Sequence, residues 1–339
     1  MSRKTYELDM RNGTIADKIL RFALPLMAAN VLQTLFNLAD VIVVGKFAGD
    51  LSQAAVTSTT SMVNLMLAIF MGLSGGANVV IARALGAKED EKVDDIVHTC
   101  ILLGLVCGAV LTVVGMFCAE TFLIWMGTPE EILPFSTLYM QIFFGGMIFN
   151  MVYNFSAALL RAAGDTKGPL IYLTIAGVAN VLLNVMFVTV FQMNVAGVAL
   201  ATTISQAISA VLVVRALMKR TDACRLELKK MRFHKIQLVK MLRIGLPAGM
   251  QSSLFSISNV MIQSSINSFG DVVMSGNTAA GNIEGFVYAS ANAVSQSAMT
   301  FAGQNTGANR YDRVKKVLLI FYYCLRFNFF LIEKTLFFG

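Results

Sequence analysis

Long apolar stretches, separated by short polar runs, form the dominant pattern of the chain. Each stretch is about twenty residues or longer, which is the length that crosses the hydrocarbon core of a bilayer as a helix. The pattern predicts nine spans, at residues 19–44, 55–82, 96–118, 135–160, 169–191, 195–217, 238–267, 278–302 and 314–333. Because backbone polar groups inside a bilayer must be satisfied internally, we expect an all-α polytopic membrane protein.

Composition and charge agree with this fold class. Of the 339 residues, 56% are hydrophobic and 14% are charged, whereas soluble domains carry about 25% charged residues. If the N-terminus is cytoplasmic, the basic stretch from Lys219 to Arg243 and nearly all other basic residues fall in cytoplasmic loops, and the outer loops hold Lys46 alone. This is the positive-inside distribution. The net charge of +7 therefore indicates topology, and we expect no nucleic-acid partner.

An internal repeat relates the two ends of the chain. Pro25 and Pro247 are 222 positions apart and follow similar residues, and Gly86 matches Gly307 at an offset of 221. Predicted spans 1–2 and 7–8 are therefore interpreted as copies of one unit. Because six spans separate the copies, both insert the same way up. Parallel repeats of this kind are typical of transporters that rock two lobes about a central site.

The repeat predicts the domain organisation. We expect a complete six-helix N-terminal lobe at 1–218, a basic cytoplasmic linker at 219–236 and an incomplete second lobe at 237–339, containing spans 7–9. From about residue 321 the sequence is rich in Phe and contains no Ala. This change favours a frameshift or premature stop near 317–326, and the alternative is that the last span is native.

A carboxylate inside predicted span 1 is the main candidate for ion coupling. Asp40 would cost about 2.5–3.5 kcal/mol at the centre of a membrane helix, and it shares one helix face with Asn30, Gln33 and Asn37. Its repeat counterpart is Ile262, so the acid is not a duplicated scaffold residue. We expect Asp40 to take up a proton on one side of the membrane and release it on the other. The alternative is a structural aspartate hydrogen-bonded between helices.

Other polar residues inside predicted spans are further candidates for the ion-coupling site and for a substrate cavity. Asn37 on span 1 and the pair Asn180 and Asn184, four positions apart on span 5, are candidates for ion coupling together with Asp40. The alternative for the pair on span 5 is that it joins helices by hydrogen bonds. A substrate cavity is predicted from polar positions of spans 1, 7 and 8, with interhelical hydrogen bonding as the alternative for Glu284. The cavity candidates are Gln33, Ser256, Asn259, Gln263 and Glu284.

Six motifs in order give the chain its resemblance to a known family. It resembles the multidrug and toxic compound extrusion (MATE) family, in particular a bacterial branch near the DNA-damage-inducible protein F type. The likeness runs from about residue 15 to 316. The motifs are Leu24-Pro25 through Gly45, Leu160 through Lys167, Asn180 through Asn184, Gly197 through Thr202, Ile244 through Pro247, and Gly303 through Ala308.

The resemblance implies twelve helices in two lobes around a central cavity. It also implies export of amphipathic organic, often cationic, compounds in exchange for H⁺ or Na⁺ at a bacterial inner (plasma) membrane. In the family, Thr202 completes a cation-binding cluster with Asp40, Asn180 and Asn184. Because many relatives have a carboxylate where this chain has Asn184, we expect H⁺ rather than Na⁺. The alternatives are a flippase of lipid-linked sugars and a shortened chain that transports nothing.

Motifs of enzymes and of metal sites do not occur in the chain. It contains no GxxxxGK[ST] loop, no H-E-x-x-H and no G-x-S-x-G, so ATPase and hydrolase functions are not supported. The two histidines, His98 and His234, do not suggest a metal site. We expect no cofactor besides the coupling ion, small organic substrates and the lipid bilayer as partners, and leave the oligomeric state open.

Overall fold

The protein is a bundle of long helices. The computed structural model describes residue 8 and residues 10–267 and 271–338, without the side chains of 50, 260, 263–264, 267, 271–284, 286, 325 and 327–338. A π-helical turn at Met186–Val190 follows α6, and a 3-10 turn at Leu228–Lys230 precedes α8. The helices are α1 (Ile15–Ala48), α2 (Asp50–Ala87), α3 (Asp90–Trp125), α4 (Leu133–Gly145), α5 (Met147–Ala162), α6 (Lys167–Val185), α7 (Asn194–Met218), α8 (Lys235–Asn267), α9 (Asp271–Gly307) and α10 (Tyr311–Phe338).

The first six predicted spans correspond to apolar helices of membrane-crossing length. Among the described residues, α1, α2, α3, α6 with its π turn, and α7 are each long and apolar enough to cross a bilayer, and α4 and α5 reach this length and composition only as a pair. Predicted spans 7–9 lie in α8, α9 and α10. The all-helical fold class is confirmed, while the total of nine spans stays a prediction.

Predicted span 4 is not one continuous helix. The helix is interrupted at Gly146, since α4 ends at Gly145 and α5 begins at Met147. The axes of α4 and α5 are bent by 48° at this point. A Cβ on Gly146 would lie 2.9 Å from the Thr203 hydroxyl oxygen of α7, so the glycine permits a close approach of these helices. The prediction of a single helix over 135–160 is therefore wrong, because adjacent glycines weaken a helix enough for packing to bend it.

The two copies of the repeat have the same local structure. α2 ends at Ala87 and α9 ends at Gly307. In the turn that follows each helix, one residue has a left-handed backbone, Lys88 (φ 59°) after α2 and Asn309 (φ 57°) after α9, and these residues are 221 positions apart. The backbone hydrogen bonds that end the two helices also match, namely Lys88 N to Leu85 O, Glu89 N to Ala84 O, Asn309 N to Thr306 O and Arg310 N to Asn305 O.

An approximate two-fold axis runs between α2 and α9. Thr300 Oγ1 donates a hydrogen bond of 3.1 Å to Asn78 Oδ1, and at the offset of 221 the counterpart of Thr300 is Val79, the residue after Asn78. One turn further, a Cβ on Gly303 would lie 2.9 Å from the Cβ of Ala82, its counterpart at the offset of 221. Residues that meet their own counterparts are the signature of a two-fold relation, which confirms the parallel repeat.

The two helices cross most tightly at their carboxyl ends. A Cβ on Gly86 would overlap the backbone of Gln304, and a Cβ on Gly307 would overlap the backbone of Arg83. Gly86 corresponds to Gly307 and Arg83 to Gln304, so the two contacts are images of each other. We call this crossing of Arg83, Gly86, Gln304 and Gly307 the closed end; the positive-inside distribution predicts that it is cytoplasmic.

Two further helix pairs follow the same two-fold relation. Gly76 of α2 packs against the backbone of Gly245 in α8. In the corresponding place, Phe22 of α1 packs edge-on against Phe301 of α9, with ring centroids 5.6 Å apart. Small residues and ring contacts of this kind let membrane helices approach closely. Each half therefore places its first helix against the second helix of the other half.

The predicted linker folds back onto the start of α3. The Nε2 atom of His98 lies 3.1 Å from the carbonyl oxygen and 3.2 Å from the amide nitrogen of Glu227. The backbone amide of His234 donates to Thr99 Oγ1 at 3.1 Å. The linker, which precedes α8, is thus bonded to the first half. The domain bounds at 218 and 236 stay a prediction.

Candidate ion-coupling site

Asp40 lies where α1 packs against α6 and α7. The Nδ2 atom of Asn184 donates a hydrogen bond to Asp40 Oδ1. The hydroxyl of Thr202 is 3.5 Å from Asp40 Oδ2 and 3.0 Å from the Val198 carbonyl oxygen of its own helix, so its one proton can be donated to either acceptor. Both carboxylate oxygens therefore have a neutral donor within reach, and the acid is held between three helices.

Asn180 joins this group from the same face of α6. Its Nδ2 atom donates to Thr202 Oγ1 at 3.3 Å, and its Oδ1 atom accepts from Asn184 Nδ2 at 3.4 Å. The spacing of four residues puts Asn180 and Asn184 one above the other on the helix, and both are buried, with 4% and 0% of their surface exposed. The four side chains of Asp40, Asn180, Asn184 and Thr202 form one connected cluster, which we call the Asp40 cluster.

The Asp40 cluster is not fully satisfied. The Oδ1 atom of Asn184 is buried and has no hydrogen-bond partner, which costs free energy unless another group supplies a donor or a positive charge. Carboxylate, amide and hydroxyl oxygens accept protons or small hard cations. The carboxylate of Asp40 could therefore take up a proton, and the oxygens of Asp40, Asn180, Asn184 and Thr202 together could hold a small hard cation. Among the residues that the structure describes, no group of three or more His, Cys, Asp or Glu could hold a metal ion.

Tyr139 of α4 is a neighbour of the site that the sequence did not indicate. It packs against the apolar cluster that contains Val43 and Val44 of α1 and Val198 of α7, and its ring stacks on Phe143 with centroids 5.8 Å apart. A phenol side chain therefore lies beside the segment of α1 that follows Asp40. Tyr139 sits in an apolar run without polar periodicity, so no local signal could have found it.

The other predicted site residues are placed apart from the Asp40 cluster. Asn37 and Gln33 lie on exposed parts of α1, and Asn37 is absent from the described hydrogen bonds of the cluster. On α8, Asn259 is exposed, and Ser256 is half-buried with its hydroxyl bonded to the Ser252 carbonyl at 3.1 Å. The side chains of Gln263 and Glu284 lie outside the described residues.

A family model decides the classification of the chain. The model, described as MatE, matches residues 25–186 and 247–332. The chain belongs to the MATE family. The two matches begin at Pro25 and Pro247, the pair 222 positions apart, and so agree with the repeat. Members of the MATE family are transporters and not enzymes, and the chain is a multi-pass membrane protein.

Relatives of known name agree with this MATE assignment. The chain is 30% identical over 306 residues to the probable multidrug resistance protein YoeA of Bacillus subtilis, with 88% of this chain and 66% of YoeA covered. It is 29% identical to the probable multidrug resistance protein YpnP of the same organism, with 90% of this chain and 68% of YpnP covered. The chain thus spans about two thirds of the length of these curated relatives.

The fold is shared with solved MATE structures. A crystal structure of MATE in the straight conformation superposes with a TM-score of 0.87 at 22% sequence identity, covering 98% of this chain and 74% of that one. The arrangement of the helices in two lobes is therefore that of the MATE fold.

Proposed function

We propose that this MATE protein is a secondary-active exporter of amphipathic organic compounds, often cationic, in exchange for H⁺. The names of YoeA and YpnP support multidrug resistance as the general activity. The observation that carries the proposal is Asp40, an acid inside an apolar span whose described hydrogen-bond partners, Asn184 and Thr202, are both neutral.

The environment of Asp40 favours a proton as the coupling ion. Neutral amide and hydroxyl donors support a carboxylate without cancelling its charge, so a bound proton can neutralise it in the apolar span. A bare Na⁺ is held best by several carboxylates, because their charge offsets the lost hydration. Asp40 is the single acid of the Asp40 cluster, so a proton suits the site better.

The exchange cycle follows from these properties. From the outside, Asp40 takes up a proton, the Asp40 cluster rearranges, and substrate leaves the cavity. From the inside, Asp40 releases the proton and the cavity accepts new substrate, with Gln33, Ser256, Asn259, Gln263 and Glu284 proposed to line it. A proton that crosses the full field gains about 2.3 kcal/mol per 100 mV. The proposed setting is a bacterial plasma membrane with the N-terminus in the cytoplasm.

Dye transport by everted membrane vesicles tests this function. With a vesicle interior made acidic and no Na⁺ present, vesicles containing the full chain should accumulate a cationic dye. Asp40→Asn should reduce accumulation to the level of empty vesicles. The matched control is Asp17→Asn, an acid of the same helix in an exposed pair with Arg21, which should transport like the parent.

Three results would count against the proposal. Equal transport by Asp40→Asn and parent would exclude Asp40 as the proton carrier. Transport that needs a Na⁺ gradient and ignores the proton gradient would make Na⁺ the coupling ion. If the parent chain accumulates no dye above empty vesicles, the 339-residue chain is not an exporter by itself.

A further inference from the structure

A short segment before α1 crosses from one half of the protein to the other at the closed end. We call Leu8 and Met10–Thr14 the N-terminal strap. The strap is continuous with α1, in the first half of the repeat. Its contacts, however, are largely with α9 and α10 of the second half.

Met10 anchors the strap in an apolar pocket of both halves. Its side chain is fully buried and packs in a cluster that contains Phe22 and Leu26 of α1, Phe301 of α9 and Val317 of α10. Residues of both halves cover the Met10 side chain. Its apolar surface is therefore removed from water only while the strap lies between the halves. The anchor therefore favours the arrangement in which the halves meet.

Three polar side chains of the second half hold the strap by its backbone. Asn305 Nδ2 donates to the Met10 carbonyl at 3.2 Å, and Arg313 Nη1 donates to the Gly13 carbonyl at 3.1 Å. Arg310 Nη1 donates to the Arg11 carbonyl at 2.6 Å. Hydrogen bonds from charged donors are stronger than neutral ones. Arg310 Nη1 also donates to the side-chain oxygen of Asn12 at 3.1 Å, but the other acceptors are backbone carbonyls, so the strap is held mainly by its backbone.

The other end of the strap is bonded to the first half. The Leu8 amide donates to the carbonyl of Gly164 at 3.4 Å, in the turn between α5 and α6. Gly164 has φ +93°, and a Cβ there would lie 2.9 Å from the Leu8 nitrogen. A glycine is thus required for the strap to lie against this turn.

The residues that hold the strap are not part of the repeated scaffold. At the offset of 221, the first half ends its α2 with an identical turn but carries different side chains. Asn305, Arg310 and Arg313 correspond to Ala84, Glu89 and Lys92. Because Ala84 and Glu89 end α2 with the same backbone hydrogen bonds, the turn itself does not need an asparagine or an arginine. The role that the structure shows for Asn305, Arg310 and Arg313 is to donate hydrogen bonds to the strap.

We propose that the N-terminal strap is a latch that keeps the closed end shut and must release for this end to open. Opening moves α2 away from α9. The strap is attached to the first half through Gly164 and α1, so this movement would pull it away from Asn305, Arg310 and Arg313 of the second half. The hydrogen bonds to the strap therefore add to the stability of the closed arrangement and of no other. The proposal concerns the opening of this end, and it holds whatever the coupling ion or substrate.

The labelling rate of a buried cysteine measures how readily the closed end opens, and it requires no transport assay. The reporter is Ser297→Cys, one turn before Thr300 on α9 and 0% exposed, whose hydroxyl bonds within its own helix; the native cysteines at 100, 107, 118, 224 and 324 are replaced by alanine. The full chain in nanodiscs is labelled with a hydrophilic maleimide. Arg313→Ala should raise the labelling rate about tenfold, the order expected for losing a charged hydrogen bond in one of two states.

Matched variants separate the latch from general loosening of the bundle. Lys316→Ala removes a positive charge from an exposed position of the same helix and should leave the rate unchanged. Met10→Ser removes the apolar anchor and should also raise the rate, so the result does not depend on one variant. The proposal is overturned if Arg313→Ala and Met10→Ser both label within about twofold of Lys316→Ala.

Discussion

Thr300 of α9 and Asn78 of α2 are hydrogen-bonded to each other, at 3.1 Å, beside the axis that relates the two halves. The same Asn78 side chain donates to the carbonyl of Ala158 in α5 at 3.0 Å. Both Asn78 and Thr300 are buried, with 5% and 1% of their surface exposed. One amide side chain therefore joins three helices at the axis about which the halves are related.

Removing the Thr300 hydroxyl should destabilise the bundle. Thr300→Val keeps the shape of the side chain but leaves the Oδ1 atom of Asn78 buried without a donor. The free energy of unfolding should fall by about 0.5–2 kcal/mol, measured by titration with a denaturing detergent. Thr57→Val is the control, because the Thr57 hydroxyl is exposed and bonds within its own helix. Equal midpoints for the two variants would contradict the role of the axis bond.

A methyl group added at the closed end should lower the thermal stability of the protein, whereas a methyl group added elsewhere on α2 should not. In Gly86→Ala the new Cβ overlaps the backbone of Gln304, and overpacking of this kind costs about 1–3 kcal/mol. In Gly75→Ala nothing lies within 4 Å of the new Cβ, and alanine is the better helix former by about 1 kcal/mol. Thermal unfolding in nanodiscs should therefore move down for Gly86→Ala and not for Gly75→Ala. A matching decrease in both would show that α2 tolerates no methyl group at either site.

A second carboxylate should convert the Asp40 cluster into a better Na⁺ site. In Asn184→Asp, two acids face each other, and their repulsion is relieved by a bound cation. We expect Na⁺, but not the larger choline cation, to raise the melting temperature of this variant and to leave the parent unchanged. The control Asn150→Asp adds an acid to α5, away from Asp40, and should show no such response. Equal Na⁺ effects on parent and Asn184→Asp would argue against a charge-limited site.

Removing the hydroxyl of Thr202 should slow transport more than removing the hydroxyl of Thr203. Thr202 donates towards Asp40 and accepts from Asn180, whereas Thr203 donates to the Ile142 carbonyl at 3.2 Å. Thr202→Val should lower the initial rate of proton-driven dye uptake about tenfold, the loss expected for about 1.4 kcal/mol, with Thr203→Val close to the parent. Similar rates for both would mean that Thr202 does not position Asp40.

The hydrophobic pattern was sufficient to predict the helices because it reflects a simple requirement. A span must be apolar over the thickness of the bilayer, so its position can be read along the chain. The break at Gly145 and Gly146 could not be predicted in this way, because it depends on the contact of Gly146 with Thr203. Whether a glycine pair bends a helix is decided by the neighbour across the bundle.

The candidate site was predictable where its residues leave a local signal. Asn180 and Asn184 repeat at the period of a helix, and Asp40 is an acid in an apolar span. Tyr139 and the N-terminal strap gave no such signal, since the strap meets its partners from positions about 300 residues away, as in the bond from Arg313 to the Gly13 carbonyl, at a separation of 300. Contacts between distant segments are a property of the packed bundle.

The pairing of counterparts at the axis has a consequence for how the two halves can differ. In a dimer of identical chains, a residue on the two-fold axis faces its own copy, so an unlike pair of counterparts such as Ala82 and Gly303 cannot form there. Joining both copies in one polypeptide removes this restriction. It also allows Asp40 of the first half to have an apolar counterpart, Ile262, in the second half. The chain thus combines a symmetric framework with a carboxylate that one half carries and the other half lacks.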